Sequence, residues 1–409
     1  MKVLQINTVY GIGSTGKIAK EIHDVCVGEG ISCFSGYRCG KGVRNLCEDA
    51  VAISDRLDSR VHGFLARHTL WKGAFSIIHT MNFLVKVDRY APDVIHLHNL
   101  HGSYINIPLL FNYIKKKDIP VIWTLHDCWP FTAICAYFTV AGCDKWLSGC
   151  GHCPQLRACS SARLDTTHSV WKWKKRHFLK PQSMCMVTPS QWLADLVKKS
   201  FLGQYPAKVI QNGIDLSVFK PTQSEIRRKY GIPDGKFLLL GVAFDWGYRK
   251  GLDVFIELAA RLDPQTYQIV LVGTNDEIDR QLPPGIIAIH RTQNQQELAA
   301  IYSVADLFVN PTREDNFPTV NMESLACGTP VVTFRTGGSP ESLDSSCGAV
   351  VDGKNASELQ RAIEQIYGQR PFSREACVKR AAAFDKNKKY QEYIQLYREI
   401  STQGSRGMP

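Results

Sequence analysis

The 409-residue sequence has no apolar run of the about 18–20 residues that a membrane-spanning helix needs. Its first residues, MKVLQINTVYGIG, lack the cationic region, long apolar segment and cleavage site of a secretory signal. The chain also lacks low-complexity tracts, short internal repeats and the finger, RRM-type or basic-zipper patterns of nucleic-acid-binding proteins. We therefore expect a globular protein that stays in the cytoplasm, binds no nucleic acid and meets a membrane only peripherally.

Acidic residues are scarce in the first half of the chain. Residues 1–200 contain 25 Lys and Arg against 14 Asp and Glu, whereas residues 201–409 contain 24 of each, so the first half carries the whole net charge of +11. Such a field favours an anionic membrane surface or a phosphorylated substrate, and a solvated basic surface without a partner is the alternative. Candidate membrane contacts are WKWKKRHFLK (171–180) and the lysines at 115–117.

Disulfides are not expected in the cytoplasm, so the 14 cysteines need another role. Four of them form a C-x7-C-x6-C-x2-C pattern whose CxxC end is typical of half a tetrahedral zinc site. Zinc would order the long loop 128–160, with His152 and Cys159 as replacement ligands; reduced, unliganded thiols are the alternative. The predicted structural zinc ligands are Cys135, Cys143, Cys150 and Cys153.

Short β-branched runs alternate with amphipathic helical patterns along the whole chain. The predicted strands include VLQINTV, DVIHLHN, PVIWTLHD, FLLLGVAF, YQIVLVG, DLFVNP and PVVTF. This βαβα order predicts an α/β protein with parallel, doubly wound sheets. Turn-forming residues and the change in charge balance place a boundary near residues 200–220. The two Rossmann-like halves would bind ligands in the cleft between them.

A glycine loop follows the first predicted strand. Gly11, Gly13 and Gly16 precede a helical pattern, and Gly11-x4-Gly16-Lys17 nearly matches a P-loop. Ile18 stands where that motif needs a Ser or Thr to ligate Mg²⁺, which argues against an ATPase or GTPase. The loop is interpreted either as a phosphate-binding turn at a helix N-terminus or as the tight turn that any such unit needs.

Histidines end two of the predicted strands. HLHN (96–99) and TLHDCWPF (124–131) place them at the carboxyl ends, where α/β sheets present functional side chains. His126, followed by Asp127, is a candidate hydrogen-bonding or acid–base group, and a purely structural histidine is the alternative. Since His96 and His98 alternate along one strand, at most one of them is expected to face the cleft.

A third constellation lies in residues 305–341, where a strand, a loop, a helix and a further strand follow each other. The loop contains Glu314 and Asp315, and the helix is predicted to begin near Pro318. N–H groups at its first turn could hold a diphosphate, and Glu323 could accept hydrogen bonds from ribose hydroxyls.

This segment resembles the signature of the family 4 retaining glycosyltransferases, an acidic residue followed by seven others and a Glu, here Asp315-x7-Glu323. The order of the remaining motifs agrees over nearly the whole chain. They are the glycine loop, TLHD, VTPSQW (187–192), VIQNGID (209–215), GYRKG (247–251) and LVGT (271–274). The cysteine-bearing segment after HDCWPFT further resembles a subgroup of colanic-acid-type enzymes in bacterial surface polysaccharide assembly.

The resemblance implies a GT-B fold with two Rossmann-like domains facing a central cleft. The acceptor would bind mainly to residues 1–204 and the donor nucleotide to residues 205–380. Residues 381–409 would form a C-terminal helix and tail that pack back on the N-terminal domain. The implied partners are a UDP- or GDP-sugar, a glycan or lipid-linked acceptor and an anionic membrane surface.

The resemblance also assigns roles to individual residues. Lys250 matches the lysine that neutralises the donor diphosphate in place of a metal, so no catalytic cofactor is expected. Glu323 matches the ribose-binding glutamate, and Asp315 lies where the family usually has a Glu near the donor sugar. His126 matches the histidine beside the reacting sugar, and Gly13 belongs to the loop facing the diphosphate.

Two positions depart from the family pattern. Glu314, adjacent to Asp315, is expected to share the role of the first acidic residue. The arginine that usually precedes the lysine is missing from VAFDWGY, so either Arg249 compensates or the diphosphate is held differently. The remaining predicted donor contacts are backbone groups of Phe317, Pro318 and Thr319.

The resemblance predicts a hexosyltransferase-type enzyme that transfers a sugar from a nucleotide sugar with retention. Its biological setting would be the assembly of a capsule, O-antigen or exopolysaccharide. Two alternatives remain: another GT-B enzyme, such as a sugar epimerase or a phosphorylase, and a catalytically degenerate, zinc-stabilised binding module.

Overall fold

A computed structural model describes residues 1–40 and 49–404 and divides the chain into two units. The first unit runs from Met1 to Gln211 and resumes at Asn387, and the second comprises Asn212–Lys386. Within the described residues, no helix is both long and apolar enough to cross a bilayer.

The first unit contains a parallel sheet with strand order β3-β2-β1-β4-β5-β6-β7. Strands β4, β5 and β6 are buried along their whole length, as expected for a parallel sheet covered on both faces. The strands are β1 (Lys2–Asn7), β2 (Ser32–Arg38), β3 (Ala50–Ser54), β4 (Val94–Leu97), β5 (Val121–Thr124), β6 (Met184–Thr188) and β7 (Ala207–Val209).

Helices connect these strands, and each of them except α5 buries side chains on one face. They are α1 (Gly13–Gly28), α2 (Arg56–Thr69), α3 (Ile77–Tyr90), α4 (Ile107–Lys117), α5 (Leu156–Cys159), α6 (Thr167–Phe178) and α7 (Gln191–Lys199). Short 3-10 helices lie at Lys145–Leu147 and Phe201–Gln204.

The second unit contains a parallel sheet with strand order β10-β9-β8-β11-β12-β13. Its strands are β8 (Phe237–Val242), β9 (Tyr267–Val272), β10 (Ile286–Ile289), β11 (Leu307–Asn310), β12 (Val331–Phe334) and β13 (Gly348–Val351). Its helices are α8 (Ile226–Lys229), α9 (Leu252–Arg261), α10 (Asp276–Asp279), α11 (Gln295–Val304), α12 (Thr319–Ala326), α13 (Ala356–Gln369) and α14 (Arg374–Ala381). Its 3-10 helices are Tyr248–Lys250, Ser339–Ser342 and Ala382–Phe384.

The last helix, α15 (Lys386–Gly404), leaves the second unit at its first residue and completes the first. Its apolar side chains form one core cluster with Val3 of β1 and with Ile18 and Ile22 of α1. The tail beyond residue 404 lies outside the described residues.

The boundary between the units differs slightly from the one expected. A division at residue 204 is too early because β7 pairs with β6 and completes the first sheet, so the first unit extends to Gln211. Two parallel, doubly wound sheets nevertheless confirm the predicted α/β class.

Each sheet reverses its strand order once. In the first unit the reversal lies between β1 and β4, and in the second between β8 and β11. Loops leaving such neighbouring strands diverge to opposite faces of the sheet, which opens a crevice at their carboxyl ends. Ligand-binding groups are therefore expected in the loops after these four strands.

Candidate functional site

The predicted donor residues of the second unit lie at its strand-order reversal. Lys250 ends the 3-10 helix that follows β8, and Asp315 lies in the loop after β11. The Lys250 Nζ is 2.5 Å from Asp315 Oδ2, and both side chains are largely shielded from solvent. A cation and an anion, 65 residues apart in sequence, thus meet at the carboxyl edge of the sheet.

Arg313 fixes the position of this pair, and the sequence analysis missed it. Its guanidinium donates two hydrogen bonds of 2.7 Å to the Asp253 carboxylate and lies 4.0 Å above the Tyr248 ring. Its backbone N–H donates to the carbonyl of Arg249 at 2.8 Å. The loop that carries Asp315 is thereby attached to the short helix that carries Lys250.

Glycine is required where these two loops approach. Gly251 has φ +75°, and a Cβ there would lie 2.5 Å from the carbonyl oxygen of Pro311. The adjacent Arg249 donates from its guanidinium to the carbonyl of Glu314 at 3.2 Å. Arg249 therefore lies beside the Lys250–Asp315 pair, as its expected compensating role requires, and that role stays a prediction.

Helix α12 presents its N-terminus to the same edge. It begins after Pro318, has no capping side chain and no acidic residue in its first turn, so its N–H groups and positive dipole end suit an anion. Glu323 lies one turn into α12 and accepts a hydrogen bond from Tyr302 at 3.3 Å. The buried Phe317 accepts one from Asn212 Nδ2 through its carbonyl, at 3.2 Å.

Two buried hydroxyls also lie at this edge. Thr274 follows β9 and Thr336 follows β12, and among the described residues neither hydroxyl has a hydrogen-bond partner. Since a buried hydroxyl without a partner is costly, these atoms suit hydrogen bonds to a bound ligand. Thr274 is the last residue of the LVGT motif, and Thr336 belongs to none of the motifs on which the site was predicted.

The glycine loop of the first unit lies after β1, at that sheet's own strand-order reversal. Gly11 and Gly13 have positive φ, and the N–H of Gly11 donates to the carbonyl of Gly16 at 2.8 Å. A Cβ at Gly13 would meet no heavy atom within 4 Å, so open space lies beside it. The loop is thus a tight turn, and it also leaves room for a ligand at the uncapped start of α1.

His126, which follows β5, belongs to a chain of polar side chains in the first unit. His126 Nε2 lies 3.1 Å from His98 Nδ1, and His98 Nε2 lies 3.2 Å from Gln5 Oε1. Burial lowers the pKa of His126 to about 4, an effect that Asp127 partly opposes. His126 is therefore neutral at physiological pH and suits hydrogen bonding better than charge stabilisation.

His96 and Asp127 have structural partners. The expectation that His96 and His98 point to different sides is wrong, because residues two apart in a strand share one face, and the two rings lie 4.0 Å apart. His96 is fully buried between Tyr397 of α15, 2.6 Å away, and Thr124, 2.8 Å away. Asp127 accepts from the N–H of Trp129 and lies 3.0 Å from His101 Nε2. Burial alone would raise the pKa of Asp127, but these interactions outweigh it and lower the pKa.

The predicted zinc ligands line one small apolar cavity. The Cys135 thiol hydrogen-bonds with Cys153 and Cys159, while Cys150 has both Cys143 and Cys153 near it. Within the described ranges, no group of three or more His, Cys, Asp or Glu side chains is arranged to hold a metal ion. The residues therefore do not fit a zinc ion as they are placed, and the zinc assignment stays a prediction.

One candidate membrane segment is wrong in part. In residues 171–180, Trp171 and Lys174 are buried, and Lys174 Nζ donates to the carbonyls of Trp129 and Thr132. Helix α6 uses this face for the interior because it packs on the loop after β5. The lysines at 115–117 are exposed, as a surface role requires.

Two family models match the chain. The Glycosyltransferase Family 4 model matches residues 48–218, and the Glycosyl transferases group 1 model matches residues 235–369. The putative colanic acid biosynthesis glycosyl transferase WcaC of Escherichia coli K12 is 23% identical over 98% of this chain and 100% of the relative. The D-inositol 3-phosphate glycosyltransferase of Arthrobacter sp. FB24 is 33% identical over 38% of this chain and 40% of the relative.

Solved structures share the fold over nearly the whole chain. Sucrose-phosphate synthase from Thermosynechococcus elongatus has a TM-score of 0.74 at 17% identity and covers 98% of both chains. Anabaena HepE, in complex with UDP and glucose, has a TM-score of 0.69 at 16% identity, covering 98% of this chain and 100% of its own. The resemblance stated from sequence is confirmed. The chain is a glycosyltransferase of the GT-B type, in which a Glycosyltransferase Family 4 domain precedes a Glycosyl transferases group 1 domain.

Proposed function

We propose that the chain transfers a sugar, with retention, from a nucleoside diphosphate sugar to a lipid-linked glycan acceptor during assembly of a bacterial surface polysaccharide. The observation that carries the donor assignment is the meeting of Lys250, Asp315 and the N-terminus of α12 at the strand-order reversal of the second sheet. The similarity to WcaC supports the polysaccharide setting.

The charge that develops on the leaving diphosphate explains the choice of groups. Lys250 would share its ammonium between Asp315 and the diphosphate, and the first-turn N–H groups of α12 would donate to phosphate oxygens. Fixed donors of this kind stabilise developing negative charge without reorganisation. We therefore propose that transfer needs no catalytic metal.

The rest of the donor would bind to groups on the same edge. Glu323 would accept hydrogen bonds from the ribose hydroxyls, and the Thr274 and Thr336 hydroxyls would gain the partners they lack. Asp315 and Glu314 would contact the donor sugar. HepE was solved with UDP and with UDP-glucose, which supports a UDP-sugar here, with a GDP-sugar as the alternative.

The first unit would supply the acceptor site and part of the reaction environment. In retention by front-face displacement, the bond between the anomeric carbon and the phosphate oxygen breaks. The acceptor oxygen bonds to that carbon on the same face, and its proton passes to the departing phosphate. His126, neutral because it is buried, would donate from Nε2 to His98 and accept a hydrogen bond from a sugar hydroxyl at Nδ1, and the Gly13 loop would approach the diphosphate.

One experiment separates this function from its alternatives. The protein is incubated with a panel of UDP- and GDP-sugars, with and without lipid-linked acceptors, and both free nucleotide and glycosylated lipid are measured. A transferase releases nucleotide in step with glycosylated acceptor. An epimerase turns over the donor without acceptor, a phosphorylase needs inorganic phosphate and a glycan, and a binding module does neither. The anomeric configuration of the product is determined by NMR. Retention predicts the configuration found in the donor, and the opposite configuration would exclude retention.

A further inference from the structure

Helices α2 and α3 of the first unit expose a row of large apolar side chains. Leu57 is 70% exposed, Phe64 64% and Ile78 71%, and Met81 and Val85 are each more than half exposed. Single exposed apolar residues are common on any protein, but a continuous group of them usually marks an interaction site.

The spacing places these side chains in one stripe on each helix. Leu57, Val61 and Phe64 follow an i, i+4, i+7 pattern on α2. Ile78, Met81 and Val85 follow an i, i+3, i+7 pattern on α3. We call these six side chains the α2–α3 face.

Other side chains already bury the inner sides of the two helices. On α2 the buried residues include His62 and Ala66, and on α3 they include Phe83 and Val87. Both helices are therefore apolar on two sides. The inner side packs on the first unit. The outer stripe is exposed to solvent and makes no such packing contact among the described residues.

Hydrogen bonds join the two helices near their first turns. The Ser76 hydroxyl donates to Asp58 Oδ2 at 2.5 Å and lies 2.7 Å from His62 Nδ1. His79 lies within 3.3 Å of carboxylate oxygens of both Asp55 and Asp58. The two helices that carry the stripes are thus held together at their first turns.

The charges on these helices are mainly positive. The acidic residues have cationic or histidine partners: Asp55 and Asp58 lie against His79, and Asp88 pairs with Lys117. The first half of the chain carries the entire net charge of +11. The exposed cationic residues of the two helices are Arg56, Arg60, Arg67, Lys86 and Arg89.

We infer that the α2–α3 face docks on an anionic lipid bilayer. Its apolar side chains would enter the boundary between head groups and acyl chains, and the surrounding Arg and Lys side chains would contact lipid phosphates. A bilayer supplies both apolar and anionic partners to such a surface, whereas two copies of this chain would bring like charges together. The purpose of docking, delivery of a lipid-linked acceptor, rests on the proposed function; the binding itself does not.

Co-sedimentation of the full chain with vesicles tests the inference. Vesicles of equimolar phosphatidylcholine and phosphatidylglycerol should bind the protein, and pure phosphatidylcholine vesicles should bind it much more weakly. Salt should reduce binding because it screens the contribution of the cationic residues. Phe64→Ser/Met81→Ser should weaken the partition constant about tenfold or more, since two large apolar side chains lose their lipid contacts. Arg60→Glu/Lys86→Glu should weaken binding to the anionic vesicles only.

A matched control replaces apolar residues that are exposed elsewhere in the first unit. Val27→Ser/Val140→Ser removes two exposed side chains outside the α2–α3 face and should leave the partition constant unchanged. If the wild type binds vesicles and Phe64→Ser/Met81→Ser binds them equally well, the inference is overturned. A stable dimer that only this variant dissociates would also overturn it, because a second copy would then cover the face.

The outcome can be separated from that of the proposed function. Nucleotide release from soluble donor is measured on the same preparations, and Phe64→Ser/Met81→Ser should retain it, which also shows that the variant is folded. If release persists while vesicle binding is absent, only the docking inference fails. If vesicle binding persists while no sugar nucleotide is consumed, the proposed function fails and the docking inference stands.

Discussion

Three histidines in the first unit are kept neutral by burial. Burial lowers the pKa of His96 to about 3 and that of His126 to about 4, and it lowers the pKa of His98 well below its usual range. His98 bonds to both Gln5 and His126, so it can fix which nitrogen of His126 carries the proton. These rings position one another only while they are neutral.

The first unit should therefore lose stability in mild acid. Between about pH 6.5 and pH 4 the unfolded chain binds a proton at His126 that the folded unit does not. The free energy of unfolding is fully retained above this window and falls within it, by on the order of 1.4 kcal/mol per pH unit for each such histidine. Denaturant unfolding followed by tryptophan fluorescence measures this, because seven of the eight tryptophans lie before residue 212. His126→Gln should reduce the slope, whereas the exposed-residue control His68→Gln should not; a slope unchanged by His126→Gln contradicts this account.

Arg313 is expected to act through Lys250 as a positioning residue. In Arg313→Lys a single ammonium cannot form both hydrogen bonds to Asp253 and lie flat on Tyr248, so the loop that carries Asp315 loosens. We expect kcat/KM for the donor to fall about tenfold, mainly through KM. Asp253→Asn should have a similar effect, and the double variant should be no worse than either single one. Arg335→Lys, which changes an exposed ion pair with Asp352, is the control. An unchanged KM in a folded Arg313→Lys protein would contradict this role.

Sequence reasoning found the residues that carry a motif and missed those that support them. Lys250 and Asp315 belong to recognisable patterns, and the structure brings them into contact. Arg313 and its partner Asp253 are 60 residues apart, and the Gln5–His98 contact spans 93, so only the folded sheets bring them together. The unpaired hydroxyls of Thr274 and Thr336 likewise have no signature in sequence.

Helix α15 completes the core of the first unit. Tyr390, Tyr393, Ile394 and Tyr397 are buried in the core of the first unit, although they follow the second unit in sequence. Tyr397 also lies 2.6 Å from His96 Nδ1. The helix thus closes one face of the first sheet.

Truncating Tyr397 should destabilise the first unit strongly. Tyr397→Ala should lower its free energy of unfolding by about 3–5 kcal/mol, the usual cost of removing a buried aromatic ring. Tyr397→Phe should cost about 1 kcal/mol, because only the hydrogen bond to His96 is lost. Tyr367→Ala, which changes an exposed ring in the second unit, should leave the tryptophan-detected transition in place. If Tyr397→Ala leaves that transition unchanged too, α15 does not stabilise the first unit.

For the cysteine-bearing loop after β5, the sequence spacing and the placement of the thiols give opposite expectations about zinc binding. The C-x7-C-x6-C-x2-C spacing predicts about one zinc per chain, whereas the arrangement of these thiols in the structure predicts none. Metal analysis of the purified chain, with Cys150→Ser as the comparison, decides between them. Zinc that is bound by the wild type and lost in Cys150→Ser would support the zinc site predicted from the spacing. A stable, metal-free wild type would rule the zinc site out.

Continuous apolar runs predicted seven of the strands, but they did not identify all of them, since β6 (MCMVT) and β10 (IIAI) are also apolar. The seven predicted runs all correspond to strands, and the tyrosine-bearing C-terminal run corresponds to α15. Strand β2 was not predicted because its sequence, SCFSGYR, is half polar. Its Gly36 is required by packing instead, since a Cβ there would lie 2.6 Å from the Phe83 ring. Tertiary contact, which sequence periodicity does not show, decides such strands.

For the molecule as a whole, the net charge and the two candidate surfaces are distributed unequally along the chain. The basic first half also contains the α2–α3 face, while the second half is neutral and contains the Lys250–Asp315 pair. Composition alone indicated an anionic partner. The exposed stripes on α2 and α3 now identify the surface that would meet it, in place of the partly buried residues 171–180.

The central claim is that Lys250 stabilises the leaving diphosphate of a sugar nucleotide. Nucleotide release from the preferred donor, measured with acceptor at steady state, tests it most directly. Lys250→Ala should lower kcat by about a hundredfold or more, since it removes the cation nearest the developing charge. Glu323→Gln should mainly raise the donor KM, and Lys236→Ala, which changes an exposed lysine of the same unit, should behave as wild type. Lys250→Ala with wild-type kcat and KM would contradict the account.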